Sequence, residues 1–461
     1  MLKLLINNEL KISLHNNKFI LIFIIINLLF LLNGIIFNKN IEKSLKDYNL
    51  SLLNNKIKIE KAKENLSQLI DVEQNIYLAP NQFGFIKHED SSRFLDYMET
   101  TPMYFNYEKS KIGIPELVKD FSFDVIFIVM VILSFISIIL SYNAFSSTAT
   151  GNTSKIIYSY YFNRLFFLLS KFLPVLFILG ISLFCGFMLN IIILGSQFHL
   201  SADLILRTLI IFLFCLSYIS FFSLLTMFVS LLFHKQSHVL IVMLLIWSFF
   251  VFLIPLSGKL ISASLIKLPN NNQARLALEK EIDELWVQSQ KDENKATMWR
   301  ENCFEENIPL RNMLFKDMAQ IKSKTHEKIF RDMFRQVLIS YPILKISPSF
   351  LFSDIVLQIS NNGIYRHINF LNQVKKYRKE YFTFIVNEDL KDKDSAHALF
   401  VDNMCISQKP FIPEKVPVFK EKLPLLFQVL NKNLSSIFLF HFYILLLFLF
   451  CLIMIRKYDP R

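Results

Sequence analysis

No G-x-x-x-x-G-K-S/T stretch occurs in the 461 residues, and only 9 of them are glycine. So little glycine leaves few loops able to cradle phosphate, and the chain carries no P-loop ATPase of its own. C-x-x-C, H-E-x-x-H and any clustering of His with Cys are also missing, which excludes the common zinc and redox sites. His88, His326, His367 and His397 stand isolated. No serine–histidine–acid arrangement or carboxylate pair announces an enzyme. Of the five cysteines, Cys185, Cys215 and Cys451 lie in apolar runs and read as small buried hydrophobes. Cys303 and Cys405 share a polar block, where a disulfide and two free thiols are both open.

What the chain has is apolar length. Hydrophobic residues make up 53%, and they collect into six runs: Phe19 to Phe37, Phe121 to Tyr142, Leu165 to Leu194, Leu204 to Phe233, Val239 to Leu256 and Ile437 to Ile455. A bilayer core of roughly 30 Å takes about 20 apolar helical residues, so each run reads as a membrane span. The first is too long for a signal peptide and lacks a small-residue cleavage site, so it reads as a retained helix. The expected fold is an all-α polytopic membrane protein with six transmembrane helices and a mainly helical extracytoplasmic domain built from two insertions.

Short-loop charge orients the spans, because basic residues stay on the cytoplasmic side. With the N-terminus inside, Lys3, Lys11, Lys18, Lys155, Arg164, Lys171, Lys235, Arg456, Lys457 and Arg461 all fall inside, and Gly195 to Asp203 outside has none. Both termini are then cytoplasmic. Two long segments, Asn38 to Asp120 and Ser257 to Leu434, lie outside; the first holds 12 basic and 13 acidic residues and the second 27 and 21. The net charge of +12 is therefore not a nucleic-acid stripe; much of it belongs to the membrane and cytoplasmic parts and suits anionic lipids. Nucleic acid is not an expected partner.

Helical spacing recurs over Ile41 to Leu69, Asn272 to Glu306, Leu310 to Leu338 and Gly363 to Phe400. A turn is expected at Leu78 to Gly84, and short strands or loops between Phe85 and Pro115. Lys409 to Pro417 holds three prolines and cannot stay helical; it reads as an extended lead-in to the last span. The insertions hold enough residues for one domain, which reads as a cover above the membrane or as a docking site for a protein partner.

The loop from Asn143 to Lys171 is the most specific stretch. Its Thr153, Lys155, Ser159, Arg164 and Lys171 stand at spacings that resemble the coupling-helix region of ABC transporter permeases of the type-2 export class. Asn8 to Leu14 is similar to the interfacial elbow helix of that family. The sequence departs from the pattern in the acids that precede the threonine: Asn143, Thr148 and Thr150 occupy those places, and Asn152 replaces the glycine. The resemblance implies that Ser147, Thr153, Lys155, Ile157, Ser159, Arg164 and Lys171 form the contact with a separate ABC ATPase. ATP and Mg would then be held by that subunit, and this chain would hold no cofactor. A dimer with itself or with a sister permease is also implied, as is a place in the bacterial cytoplasmic membrane. The alternative reading of this loop is an amphipathic connector, Ser147 to Tyr161, lying at the headgroups.

Within the spans, Asn27, Asn33, Asn190, Ser217, Ser220, Ser223, Thr226 and His441 are polar. The serines at 217, 220 and 223 recur every third residue along the fourth run and read as helix packing or a pathway. His441 is the one ionisable group well inside the last run, a place for a helix-to-helix hydrogen bond or for proton or ion handling. No acid lies at mid-depth, which disfavours an ion-driven transporter. The leading expectation is the transmembrane permease subunit of an ATP-driven exporter with an unknown cargo. A non-transporting scaffold of an envelope complex shares the same layout, and an intramembrane enzyme lacks the residues it needs.

Overall fold

The computed structural model describes residues 2–14, 17–87, 97–103, 105–106, 123–145, 164–233, 235–268, 271–291 and 308–457. Helix α1 (Leu2–Leu14) precedes α2 (Asn17–Lys61). The first apolar run does not stop at the bilayer edge. No proline interrupts Asn17 to Lys61, and the amphipathic pattern after Phe37 carries on the helix of the span, so α2 runs 45 residues. That is roughly 68 Å at 1.5 Å per residue, about twice the bilayer core.

Among the described residues, five helices are long and apolar enough to cross a membrane: α2, α5 (Arg164–Leu194), α6 (Ala202–Leu232), α7 (Gln236–Leu265) and α14 (Leu434–Lys457). The run expected at 121–142 appears as a shorter apolar helix, α4 (Val125–Ser141). Asp124 caps it, its Oδ1 accepting from the Phe127 amide at 2.8 Å. Two of these helices contain a π turn, α4 at Ile128–Leu133 and α7 at Phe249–Leu253.

Close approach between α2 and α5 rests on small residues. A Cβ at Gly186 would sit 2.5 Å from the Phe30 ring, and one at Gly34 would sit 2.6 Å from Ile193 Cδ1. This is the small-residue packing of membrane helices.

The second insertion contributes α8 (Asn271–Lys291), α9 (Ile308–Ile339), α10 (Tyr341–Leu344), α11 (Pro348–Ile359), α12 (Ile364–Asp389) and α13 (Leu426–Lys432). The first adds α3 (Leu66–Leu69) and three strands, β1 (Gln74–Tyr77), β2 (Tyr97–Thr100) and β3 (Phe105–Asn106). These form an antiparallel sheet of order β1-β2-β3, with Gln74 opposite Thr100 and Glu99 opposite Asn106. The described residues are mostly helical, consistent with the all-α expectation, and β2 and β3 fall within the Phe85 to Pro115 stretch where short strands or loops were expected. Alternating burial along β1, with Gln74 and Ile76 inward, sets its face.

Among the described residues, two large apolar cores result, with a small third cluster at Ile308, Ala398 and Cys405. One, away from the spans, joins Ile59, Leu66 and Leu69 of the first insertion to Phe330, Phe370 and Tyr381 of the second. The membrane core holds the spans and also α11, whose Leu351, Phe352, Ile355, Val356 and Ile359 are buried in it. Helix α2 belongs to both, through Ile26, Phe30 and Phe37 in one and Ile59 in the other. Cys405 is disulfide-bonded, whereas Cys185, Cys215 and Cys451 are free; Cys303 lies outside the described residues.

Candidate functional site

Of the seven residues expected at the ATPase contact, Ser147, Thr153, Lys155, Ile157 and Ser159 lie outside the described residues. The other two sit at junctions between helices. Lys171 Nζ is 2.6 Å from Glu9 Oε1, which ties α1 to α5. Arg164 Nη1 donates to the Ile455 carbonyl at 3.2 Å, joining the start of α5 to the end of α14; a cation at a helix C-terminus also meets its dipole favourably. Three helices, α1, α5 and α14, thus meet in the first turns of α5. Glu9 lies within the Asn8 to Leu14 stretch, but its pairing across 162 positions leaves no sequence signal.

The serines of α6 do not share one environment. Steps of three residues in a helix of 3.6 per turn drift by about 60° each, so the set fans out. Ser223 is buried against α4, its Oγ 3.0 Å from Ser141 Oγ. Ser217 and Ser220 are half-buried and bond back along α6, to the Leu213 carbonyl at 2.9 Å and the Leu216 carbonyl at 2.7 Å. Ser223 therefore acts in packing, joined by Ser230, whose Oγ accepts from the Phe145 amide at 3.1 Å.

Both π turns are held by polar side chains, as the widened backbone requires. Met130 in α4 offers its carbonyl to Ser134 Oγ at 2.6 Å and to the Tyr218 hydroxyl at 3.1 Å. The Trp247 indole of α7 donates to Ser134 Oγ at 2.8 Å. Tyr218 also pairs with Ser349 at 2.9 Å and stacks on Phe352 at 4.4 Å. In α7, the Phe250 carbonyl accepts from Ser347 Oγ at 2.6 Å. Ser347 is the N-cap of α11, and Ser349 and Phe352 lie within it, so this one short helix touches the hydrogen-bond sets of both turns.

Arg207, near the start of α6, is 2% exposed. Its Nε lies 2.7 Å from Asp203 Oδ2, its Nη1 donates to the Ile359 carbonyl at the end of α11 at 2.9 Å, and its Nη2 to Pro424 O at 2.9 Å. The span, α11 and the strap before the last span are fixed to one guanidinium, whose planar fork suits divergent acceptors.

Two concavities stand out. A groove of ≈ 840 Å³ runs along the outer half of α2, lined by Tyr48, Asn55, Lys58, Tyr77 and Asn81 among others. An apolar recess of ≈ 540 Å³ lies between α5, α6 and α14 and contains His441 and Ser220. Among the described residues no group of three or more His, Cys, Asp or Glu is placed to hold a metal.

A family model described as ABC-2 family transporter protein matches residues 4–315, more than half of the chain. No curated protein matches it.

Proposed function

Because the chain belongs to the ABC-2 transporter family, a family of multi-pass membrane transport components, we propose that it is the permease subunit of an ATP-driven exporter. In this reading a separate ATPase, holding ATP and Mg, docks beneath Ser147 to Tyr161. Its closure moves α5 through the Lys171–Glu9 and Arg164–Ile455 junctions, and a second permease copy or a sister chain completes the dimer. The membrane is the bacterial cytoplasmic membrane, and the domain built on the two insertions faces outward, toward cargo or a protein partner. A disulfide at Cys405 suits an oxidising compartment on that side.

The observation that supports this reading most is the membership of α2 in both cores. Motion of the membrane helices then reaches the outer domain without crossing a loop. The test is a photo-crosslinker at Ile157 in cells, followed by mass spectrometry of what is captured. An ABC ATPase is the expected product; capture of lipid alone would reject the coupling role and favour a membrane scaffold.

A further inference from the structure

The recess between α5, α6 and α14 has walls of carbon, among them Phe172, Leu224, Phe438 and Phe448, with one polar ring, His441. Its ≈ 540 Å³ falls within the range of small-molecule pockets. His441 is exposed to the surroundings of the helix bundle, and its Nδ1 lies 2.9 Å from the Ile437 carbonyl. A carbonyl only accepts, so Nδ1 carries the hydrogen, and in the neutral ring Nε2 presents a bare lone pair. The Phe214 and Phe440 rings stand edge-on to the imidazole, each at 5.6 Å, and hold it in place. Ser220, the hydroxyl among the lining residues, spends its hydrogen on the Leu216 carbonyl. Among the described residues, none supplies a donor to Nε2.

Hydrocarbon supplies none either, and an acceptor left bare in an apolar medium is costly. His441 lies seven residues into α14, roughly 10 Å along the axis from its first residue. The complement of this recess is a molecule with a hydrocarbon body and one hydroxyl hydrogen, whose partial positive charge meets the Nε2 lone pair.

We propose that the recess is a binding site for a neutral monohydroxyl lipid of the diacylglycerol type. The acyl chain lies along Phe172, Leu224 and Phe448, and the free hydroxyl donates to His441 Nε2. The site is separate from the ATPase contact, and it stands whether or not the chain is an exporter.

The test uses the full chain in lipid nanodiscs and two photoactivatable probes, a diacylglycerol with a diazirine in its acyl tail and the same lipid with its hydroxyl methylated. Labelling of the 433–456 segment is quantified by mass spectrometry for the natural chain and for His441→Leu. One net hydrogen bond corresponds to a preference of about fivefold for the hydroxyl probe. His441→Leu is expected to bring that probe down to the level of the methyl ether while the ether's own labelling stays unchanged. Equal labelling by the two probes in the natural chain would overturn the proposal. So would a hydroxyl preference that survives His441→Leu, or cross-linking that finds another polypeptide seated in the recess.

Discussion

Arg366 and Glu421 form a two-pronged ion pair in which both side chains are 2% exposed: Nε to Oε1 at 2.9 Å and Nη2 to Oε2 at 2.9 Å. Ala79 completes it, its amide donating to Glu421 Oε2 at 3.0 Å and its carbonyl accepting from Arg366 Nη2. The pair therefore joins the first insertion, α12 and the strap that leads into α14. Removing one partner of such a pair strands the other charge out of water.

Glu421→Gln is accordingly expected to destabilise the protein by about 3–5 kcal/mol, read as a lower midpoint of thermal unfolding in detergent. The double variant Arg366→Met, Glu421→Leu, which strands no charge, should recover most of that loss. If the double variant is less stable than the single one, the pair contributes net attraction beyond its own desolvation.

His367, next to Arg366 in α12, gives the domain built on the two insertions a pH dependence. Burial, with the Arg366 charge beside it, pushes its imidazole down to about 3. The folded state thus binds fewer protons than the unfolded one, whose histidine titrates near 6.5. Stability from this residue is complete above that value and falls as pH drops from about 6.5 toward 3, by roughly 1.4 kcal/mol per unit. Unfolding midpoints measured between pH 7.5 and 5 should show this slope in the natural chain and a smaller one in His367→Gln.

The π turns supply a third expectation. Ser347→Ala removes the hydrogen bond to the Phe250 carbonyl and leaves that buried acceptor bare, a cost of about 1–3 kcal/mol. Tyr218→Phe costs less, about 1 kcal/mol, because Ser134 still serves the Met130 carbonyl. Chemical denaturation of both variants in the same detergent gives the order; a reversed order would show that Tyr218 carries the α11 contact.

Gly186→Leu places a side chain where the Phe30 ring already lies 2.5 Å from a mere Cβ. Overpacking of about 1–3 kcal/mol is expected, together with loss of α2–α5 packing, seen as faster proteolysis of the 17–61 segment.

At the other end of the molecule, Glu9→Gln and Lys171→Ala each loosen α1 from α5. Both side chains are partly exposed, so the stability change is small, about 0.2–1 kcal/mol. ATPase stimulation in the assembled complex should fall more than stability does, and exchange of the two charges (Glu9→Lys with Lys171→Glu) should restore it.

Much of the architecture was written in hydropathy. The long runs marked the five long apolar helices and the location of α4, because only continuous apolar length tolerates lipid. The joining of Ile41 to Lys61 to the first span was half visible: the helical period was there, but nothing local says that two helices share one axis. Helix α11 was hidden for a different reason. Phe350 to Ile359 is a short apolar run broken by Ser353, Asp354 and Gln358, too short to span. Burial within a membrane core is a tertiary event; the usable signal was a run of this length, which often marks a buried or re-entrant helix. The π turns at Ile128 and Phe249 leave no mark in composition, and the pairings of Glu9 with Lys171 and of Arg207 with Ile359 and Pro424 join distant positions that one sequence cannot relate. His441 was singled out from its depth alone; the recess around it needed three helices to be placed.

The length of α2 has a consequence in plain mechanics. A stiff rod of roughly 68 Å that pivots near one end by about 5° sweeps its far tip by roughly 6 Å. Its two arms are of comparable length, one among the spans and one in the outer domain, so displacement passes along it with little loss and with its sign reversed about any pivot at the membrane surface. A rearrangement among the packed spans would thus arrive at Ile59 at about its own size and in the opposite direction.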